Sequence, residues 1–198
     1  MNNILKPFGP SIGKFKVSKE IIKKLIKITD GMSTDISHAL VGRIDEQLEY
    51  SSDSFKDYFS SKIKEYTKNV YEYQVEVMNK NTKPNVDIKL GGMWVNNQYE
   101  NEYNPVHLHP DGSHLTSVLY LKVPNIPTEN FPDGHLHIIN NSQNLHNSGS
   151  MELTDYFVYP KVGDFYIFPS YLKHTAYPFK GKGVRRSLVI NSKIEVSI

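Results

Sequence analysis

The sequence predicts an α+β chain, mainly β, in which helices come first and an antiparallel sandwich or jelly-roll core follows. Three observations carry that expectation. Up to about residue 82, apolar side chains recur at three- and four-residue spacing. From Lys83 the period falls to two, and short apolar runs alternate with turn residues. The 13 Tyr and 9 Phe give an aromatic share that suits a β-rich core.

Taken in order, Ser18 caps a first helix whose Ile21, Ile22, Leu25 and Ile26 share a face, with Gly31 as its stop. A second helix is expected from about Asp35, with Leu40, Val41, Ile44 and Leu48 inward. A third and longer one follows Ser52 to Ser54, where Phe55, Tyr58, Phe59, Ile63, Tyr66, Val70 and Tyr73 keep the helical period. Strands come next. Val86, Ile88 and Leu90 alternate with polar residues, and the runs GGMWVNN, SVLYLKVP, GHLHIIN, YFVYP, DFYIFPSYL and RRSLVIN follow at fairly regular spacing. The polar stretch Asn140 to Gly149 reads as a loop. With 198 residues the chain suits one domain. Its helical part, about 1–82, would buttress a core of about 83–198.

Composition narrows the function. A formal charge of +2 without a basic stripe gives no footprint for nucleic acid. The absence of cysteine removes disulfides, thiolate metal sites and cysteine nucleophiles. No stretch reads as a signal peptide or a membrane span, so a soluble, cytoplasmic protein is expected.

The chemistry concentrates in histidines. Three of the eight lie in the window Asn104-Pro-Val-His-Leu-His-Pro-Asp111-Gly-Ser-His114. Alternate residues of a strand share a face, so His107, His109 and Asp111 could aim at one point. Two imidazoles and a carboxylate suit a borderline divalent ion such as Fe(II); the plain alternative is a polar turn after a strand. Far downstream, Gly163 to His174 reads as a turn, a buried strand, a Pro-led bend and a histidine. Arg185-Arg186-Ser187 begins the next strand, with Arg185 eleven positions after His174.

This series resembles the 2-oxoglutarate/Fe(II) dioxygenase superfamily, and within it the small prolyl-hydroxylase-like oxygenases of phages and bacteria. The pieces are Trp94-Val-Asn96, His107-Leu-His109-Pro110, Leu119-Tyr120-Leu121, Gly134-His-Leu136, Phe168-Pro-Ser170 to His174, and Arg185-Arg-Ser187. They run in order over roughly residues 90 to 191, and it is their succession that is specific. The resemblance implies a double-stranded β-helix (jelly-roll) fold. It also implies an enzyme that uses Fe(II), 2-oxoglutarate and O₂ to hydroxylate a substrate.

The same resemblance implies residue roles. His174 is the distal metal ligand. The proximal pair stays open: the His-x-Asp reading gives His109 and Asp111, whereas the phage-type pattern aligns His107 and His109. A carboxylate would offset part of the Fe(II) charge, which favours Asp111, with His109 its preferred partner and His107 holding a ligand by hydrogen bond. Arg185 offers a planar fork for the distal carboxylate of 2-oxoglutarate. Ser187, Tyr120 and Asn96 are further candidate contacts to it. Arg186 should face solvent, Trp94 should be core, and His135 and His137 should lie at the surface or pocket rim. His114 belongs to the loop, and His38 and His146 carry no assignment.

Two other readings remain at this point. A cupin-like metal enzyme without 2-oxoglutarate could use His107, His109 and His174, and Arg185 would then be dispensable. A non-catalytic jelly-roll binding module would hold no metal. The substrate, a small molecule or a peptide, is not legible; the loops near Asn96 to Tyr103 and Asn140 to Gly149 are expected to select it. Oligomeric state is not legible either.

Overall fold

The structure is a computed structural model that describes residues 9–77, 85–109, 111–140 and 154–197. The outer two of the three expected helices form where the sequence puts them. Helix α1 spans Lys19–Asp30; the Ser18 hydroxyl accepts a bond from the Ile21 N–H at 3.3 Å, and Gly31 closes it. Ile22, Leu25 and Thr29 are its buried residues. Helix α2 spans Lys56–Val77 and buries Phe59, Ile63, Tyr66 and Thr67. Phe55, Tyr58 and Val70 pack more loosely beside them, while Tyr73 is largely exposed.

The middle helix does not form. Residues Ser37–Ala39 make one 3₁₀ turn and Glu46–Glu49 form a strand. The expected stripe breaks because Val41 is exposed whereas Ile44 and Leu48 are buried, and Gly42 adopts φ +130°. The backbone is satisfied by pairing instead. Ile36 N–H donates to Gln47 O at 2.8 Å and Glu49 N–H to Thr34 O at 2.9 Å. Partner strands thus outweigh a weak local preference.

The strands are β1 (Gly13–Lys16), β2 (Glu46–Glu49), β3 (Asn85–Gln98), β4 (Asn104–His107), β5 (Leu115–Lys122), β6 (Leu136–Ile139), β7 (Asp155–Val158), β8 (Asp164–Pro169), β9 (Lys173–Ala176) and β10 (Arg185–Ser197). They form a six-stranded sheet, β1-β8-β5-β10-β3-β2, and a four-stranded sheet, β4-β9-β6-β7. Every pairing is antiparallel. Strands β3 to β10 supply four strands to each sheet in the order of a double-stranded β-helix. The N-terminal part is therefore more than a helical buttress, since β1 and β2 extend the larger sheet at both edges.

Strand alternation separates two cores. On the outer face of the larger sheet, Leu119, Phe165, Ile167, Leu188 and Ile190 pack with Leu25, Phe59 and Ile63 of the helices. Between the sheets, Val118, Tyr120, Tyr166 and Phe168 meet Leu136, Ile138 and Val158. Each large apolar side chain so buried contributes roughly 2 kcal/mol. The second core fills only part of the inter-sheet space, and polar residues occupy the rest. Among the described residues no helix is long and apolar enough to cross a membrane.

Candidate metal and cosubstrate site

The polar part of the inter-sheet space follows from strand register. On the smaller sheet His107 of β4 lies directly opposite His174 of β9. Paired residues project on the same face, so the two rings meet with centroids 4.3 Å apart. His109 follows β4 and returns to the same place. Its Nε2 stands 3.1 Å from His174 Nε2, and its ring is parallel to the His174 ring within 6°. Trp94 of β3, expected to be core packing, stacks on His109 from the larger sheet at 5.7 Å. One nitrogen from each of His107, His109 and His174 lies within 4.8 Å of the others.

Burial holds all three rings neutral. It lowers His174 to about 3 and His109 to about 4, with the neighbouring His107 adding to both, and it lowers His107 as well. Neutral imidazoles keep a lone pair for a metal. His107 Nδ1 lies 2.7 Å from Pro105 O and His174 Nδ1 lies 3.0 Å from Leu172 O. A carbonyl only accepts, so both rings carry hydrogen on Nδ1 and turn a bare Nε2 into the cluster. Two nitrogens about 2.1 Å from one ion at a right angle stand about 3 Å apart. The His109–His174 separation therefore fits a shared divalent ion.

Asp111 is not brought into this cluster. Its Oδ1 accepts from the Ser113 N–H at 3.0 Å and its Oδ2 from Asn191 Nδ2 at 2.9 Å. Burial pushes the Asp111 carboxyl up, yet the bonds from Ser113 and Asn191 outweigh it and hold the group below the usual range. β4 ends at His107, so no strand alternation carries on to Asp111.

The larger sheet supplies a second set of residues. Tyr120, Ser187 and Asn96 lie opposite one another on β5, β10 and β3, and Gln47 of β2 lies opposite Asn96. They form one row across four strands. Gln47 Nε2 donates to Asn96 Oδ1 at 3.0 Å. Arg185 sits two residues before Ser187 on the same face. Asn96, Tyr120, Arg185 and Ser187 line one narrow cavity together with His107, His109 and His174.

Arg185 is 4% exposed, and among the described residues no carboxylate pairs with it. Its Nη1 donates to Gly134 O, and its Nε has no partner. Burial pulls its pKa down, with Tyr120 opposing. Gly134 holds its carbonyl there at φ +66°, a conformation strained for other residues, with Ile126 Cδ1 close against it. Tyr120 is pushed up to about 12 by burial, so its phenol keeps its hydrogen and can donate to an anion.

Arg186 corrects an expectation. It does point away from the cavity, but it is buried rather than solvated. Its Nε donates to Asn97 Oδ1 at 2.6 Å, and its Nη1 donates to Thr29 Oγ1 at 3.0 Å and to Asp30. It ties the end of α1 to the larger sheet. His137 lies 2.7 Å from Asp155 and stacks on Phe157 on the outer face of the smaller sheet. His135, expected at the surface or pocket rim, is instead buried, with its Nδ1 2.9 Å from Asp133 O and its ring edge-on to Phe131 and Tyr159. His114 accepts from Ile194 N–H in its loop.

A wider cavity of about 330 Å³ opens on the other side of the imidazoles. It shares Trp94, Asn104, His107 and His109 with the narrow one and is walled by Ala39, Leu40, Val41 and Leu108. Residues 97–103 do not line it, and of the expected loop Asn140 to Gly149 all but Asn140 lies outside the described residues. Asn104 Oδ1, at the junction of the cavities, is buried without a partner. Asn191, Trp94 and Asn104 were not among the expected site residues. Continuing the alternation Arg185, Ser187, Val189 would have reached Asn191.

Residues 92–191 match the model of a family described as "Putative 2OG-Fe(II) oxygenase". No curated protein matches the chain by sequence. Among solved structures, one similar fold is a viral collagen prolyl hydroxylase of Paramecium Bursaria Chlorella virus-1 in complex with 2-oxoglutarate. It has a TM-score of 0.54 and 16% identity, over 96% of this chain and 98% of that one. Another is a prolyl hydroxylase from Trichoplax adhaerens with a peptide fragment of hypoxia inducible factor (TM-score 0.56, 14% identity, 92% of this chain and 83% of that one). A third is HygX from Streptomyces hygroscopicus with nickel, 2-oxoglutarate and hygromycin B bound (TM-score 0.55, 9% identity, 92% and 82%). At these identities the likeness to the three structures is one of fold.

Proposed function

We propose, from the premise that this chain belongs to the 2OG-Fe(II) oxygenase family, that His107, His109 and His174 hold the iron and that Arg185 receives 2-oxoglutarate. The protein is a 2-oxoglutarate-dependent oxygenase that hydroxylates a substrate. Bound Fe(II), 2-oxoglutarate and O₂ supply the oxidising chemistry, in which the cosubstrate loses CO₂ to become succinate.

One observation carries the residue assignment. Three neutral imidazoles and a buried guanidinium without a protein carboxylate line the same narrow cavity. A buried cation so placed calls for an anionic ligand. The fork of Arg185 matches a carboxylate, and Tyr120 and Ser187 add hydroxyl donors from the same face. Asn96, held by Gln47, can orient the remainder of the diacid. The cupin-like reading gives no use to this arginine, which favours the 2-oxoglutarate reading.

The substrate is proposed to enter by the wider cavity, which Trp94 and the segment Ala39 to Val41 line beside the imidazoles. Peptides and small molecules are both candidates, because structural relatives carry one or the other. A cysteine-free chain suits a reducing cytoplasm. The test is turnover. Purified protein with Fe(II), ascorbate, 2-oxoglutarate and a panel of peptides and small metabolites is expected to release succinate, and the His174→Ala variant is not. Wild-type protein that fails to bind Fe(II) and 2-oxoglutarate together would contradict the proposal.

A further inference from the structure

The three imidazoles are not equivalent. His107 and His174 each donate from Nδ1 to a backbone carbonyl, which leaves Nε2 free. His109 has a side-chain amide there instead: Asn191 Nδ2 lies 3.0 Å from His109 Nδ1. An amide can turn either its oxygen or its nitrogen toward a neighbour, and its other contacts decide which. Asp111 Oδ2, 2.9 Å away, only accepts and so demands the nitrogen. Thr116 Oγ1, 3.3 Å from Asn191 Oδ1, satisfies the oxygen on the far side. Asn191 itself is buried, and its contacts with His109 and Asp111 lie at the edge of the wider cavity.

The consequence falls on His109. Facing an N–H donor, its Nδ1 must accept, so the ring hydrogen sits on Nε2, the atom that faces His174 Nε2 at 3.1 Å. A nitrogen that carries hydrogen has no lone pair for a metal. For His109 to coordinate through Nε2, the hydrogen must sit on Nδ1 and Asn191 must present its oxygen. Asp111 would then face that oxygen with its own, and two acceptors repel. The docked Asp111 and a coordinating His109 are therefore mutually exclusive. The ring stays neutral throughout; only the place of its hydrogen changes.

We propose that Asn191 and Asp111 form a latch on His109: with Asp111 docked the ring is held in the tautomer that cannot bind metal, and turning the Asn191 amide releases it. Asn191 is a positioning residue, and Asp111 opposes the metal rather than binding it. This rests on the three-imidazole reading above. It also reverses what the His-x-Asp pattern predicts for Asp111, whose removal would weaken a site in which it is a ligand.

Two measurements on the full chain test it. Nitrogen-15 NMR of the metal-free protein should show His107 and His174 hydrogenated on Nδ1 and His109 on Nε2. Finding His109 hydrogenated on Nδ1 overturns the latch. Co(II) titration should then show Asp111→Asn binding the ion about tenfold more tightly than wild type, because an amide at 111 tolerates either orientation of Asn191. Asn191→Asp, which offers a carboxylate oxygen to His109 Nδ1–H, should tighten binding too. Asp111 is exposed, so its variant should fold. Equal or weaker Co(II) binding by Asp111→Asn overturns the proposal. Wild-type protein that binds no Co(II) at all overturns instead the three-imidazole reading beneath it.

Discussion

The Nε2 atoms of His109 and His174 lie 3.1 Å apart although 65 positions separate the two residues in the chain. The contact exists because β4 and β9 are neighbours in the smaller sheet and pair His107 with His174 in register. His109, two residues beyond the end of β4, lies beside them. If this closeness serves a metal, replacing His107 or His174 by Ala should weaken Fe(II) binding by more than about a hundredfold. Equilibrium dialysis with iron analysis, on protein without a histidine tag, reads it. Unchanged iron content in either variant would show that the contact is packing.

Arg185 and Arg186 are adjacent on β10 and face opposite ways, so their variants should separate binding from stability. Arg185→Met should weaken 2-oxoglutarate binding by about a hundredfold or more, as expected when a buried carboxylate loses its guanidinium. Calorimetric titration against the Mn(II)-loaded protein measures this. Arg185→Lys should restore only part of the affinity, since an ammonium cannot make the paired fork contacts.

The same Arg185→Met variant should be no less stable than wild type without ligand. A buried cation with an unpartnered Nε opposes folding, and an apolar side chain of similar length removes that cost. Thermal unfolding of the ligand-free proteins is expected to show an equal or higher midpoint for the variant. A clear drop would mean that Arg185 is a structural bond rather than a waiting ligand group.

Arg186→Met should behave in the opposite way. It breaks bonds to Asn97, Thr29 and Asp30 and strands buried acceptors, a loss of about 2–3 kcal/mol. Its affinity for 2-oxoglutarate should stay within about twofold of wild type. Urea unfolding and the same titration check both halves.

Much of this was legible in the sequence. Helices α1 and α2 followed from Ser18, Gly31 and the Phe59-Ile63-Tyr66 stripe, because caps and helical period are local. The strand with Arg185 followed from the alternating run RRSLVIN, whereas the short strands that carry His107 and His174 have no such run and are defined by pairing with each other. The segment 35–49 did not follow either, because its pairing with β3 is a tertiary contact that no local pattern encodes. Arg186 departs from the sequence expectation for the same reason: alternation gives its face, but only the position of α1 makes that face a buried one. Asp111 shared a spacing with the histidines, and spacing along a strand stops being informative where the strand ends.

Acid should unfold the metal-free protein earlier than its carboxylates alone would require. His174 is lowered to about 3 and His109 to about 4, both by burial. Unfolded, both would take up protons near the ordinary value of about 6.5. Between that value and about 4 the unfolded state binds more protons, so stability falls as pH falls. The two groups together can contribute a slope approaching 2.7 kcal/mol per pH unit. Urea unfolding from pH 7 to pH 4 should show a shallower dependence in His174→Ala than in wild type. Parallel curves would mean that the burial of His174 carries no such cost.

In the proposed site, His107, His109 and His174 share one ion while Arg185 takes a carboxylate behind it. A crystal structure soaked with Mn(II) and 2-oxoglutarate tests it most directly. An anomalous peak bonded to the Nε2 atoms of all three histidines is expected, with the far carboxylate of 2-oxoglutarate against Arg185. A peak held by Asp111 in place of one of the imidazoles, or a diacid lying away from Arg185, would contradict it.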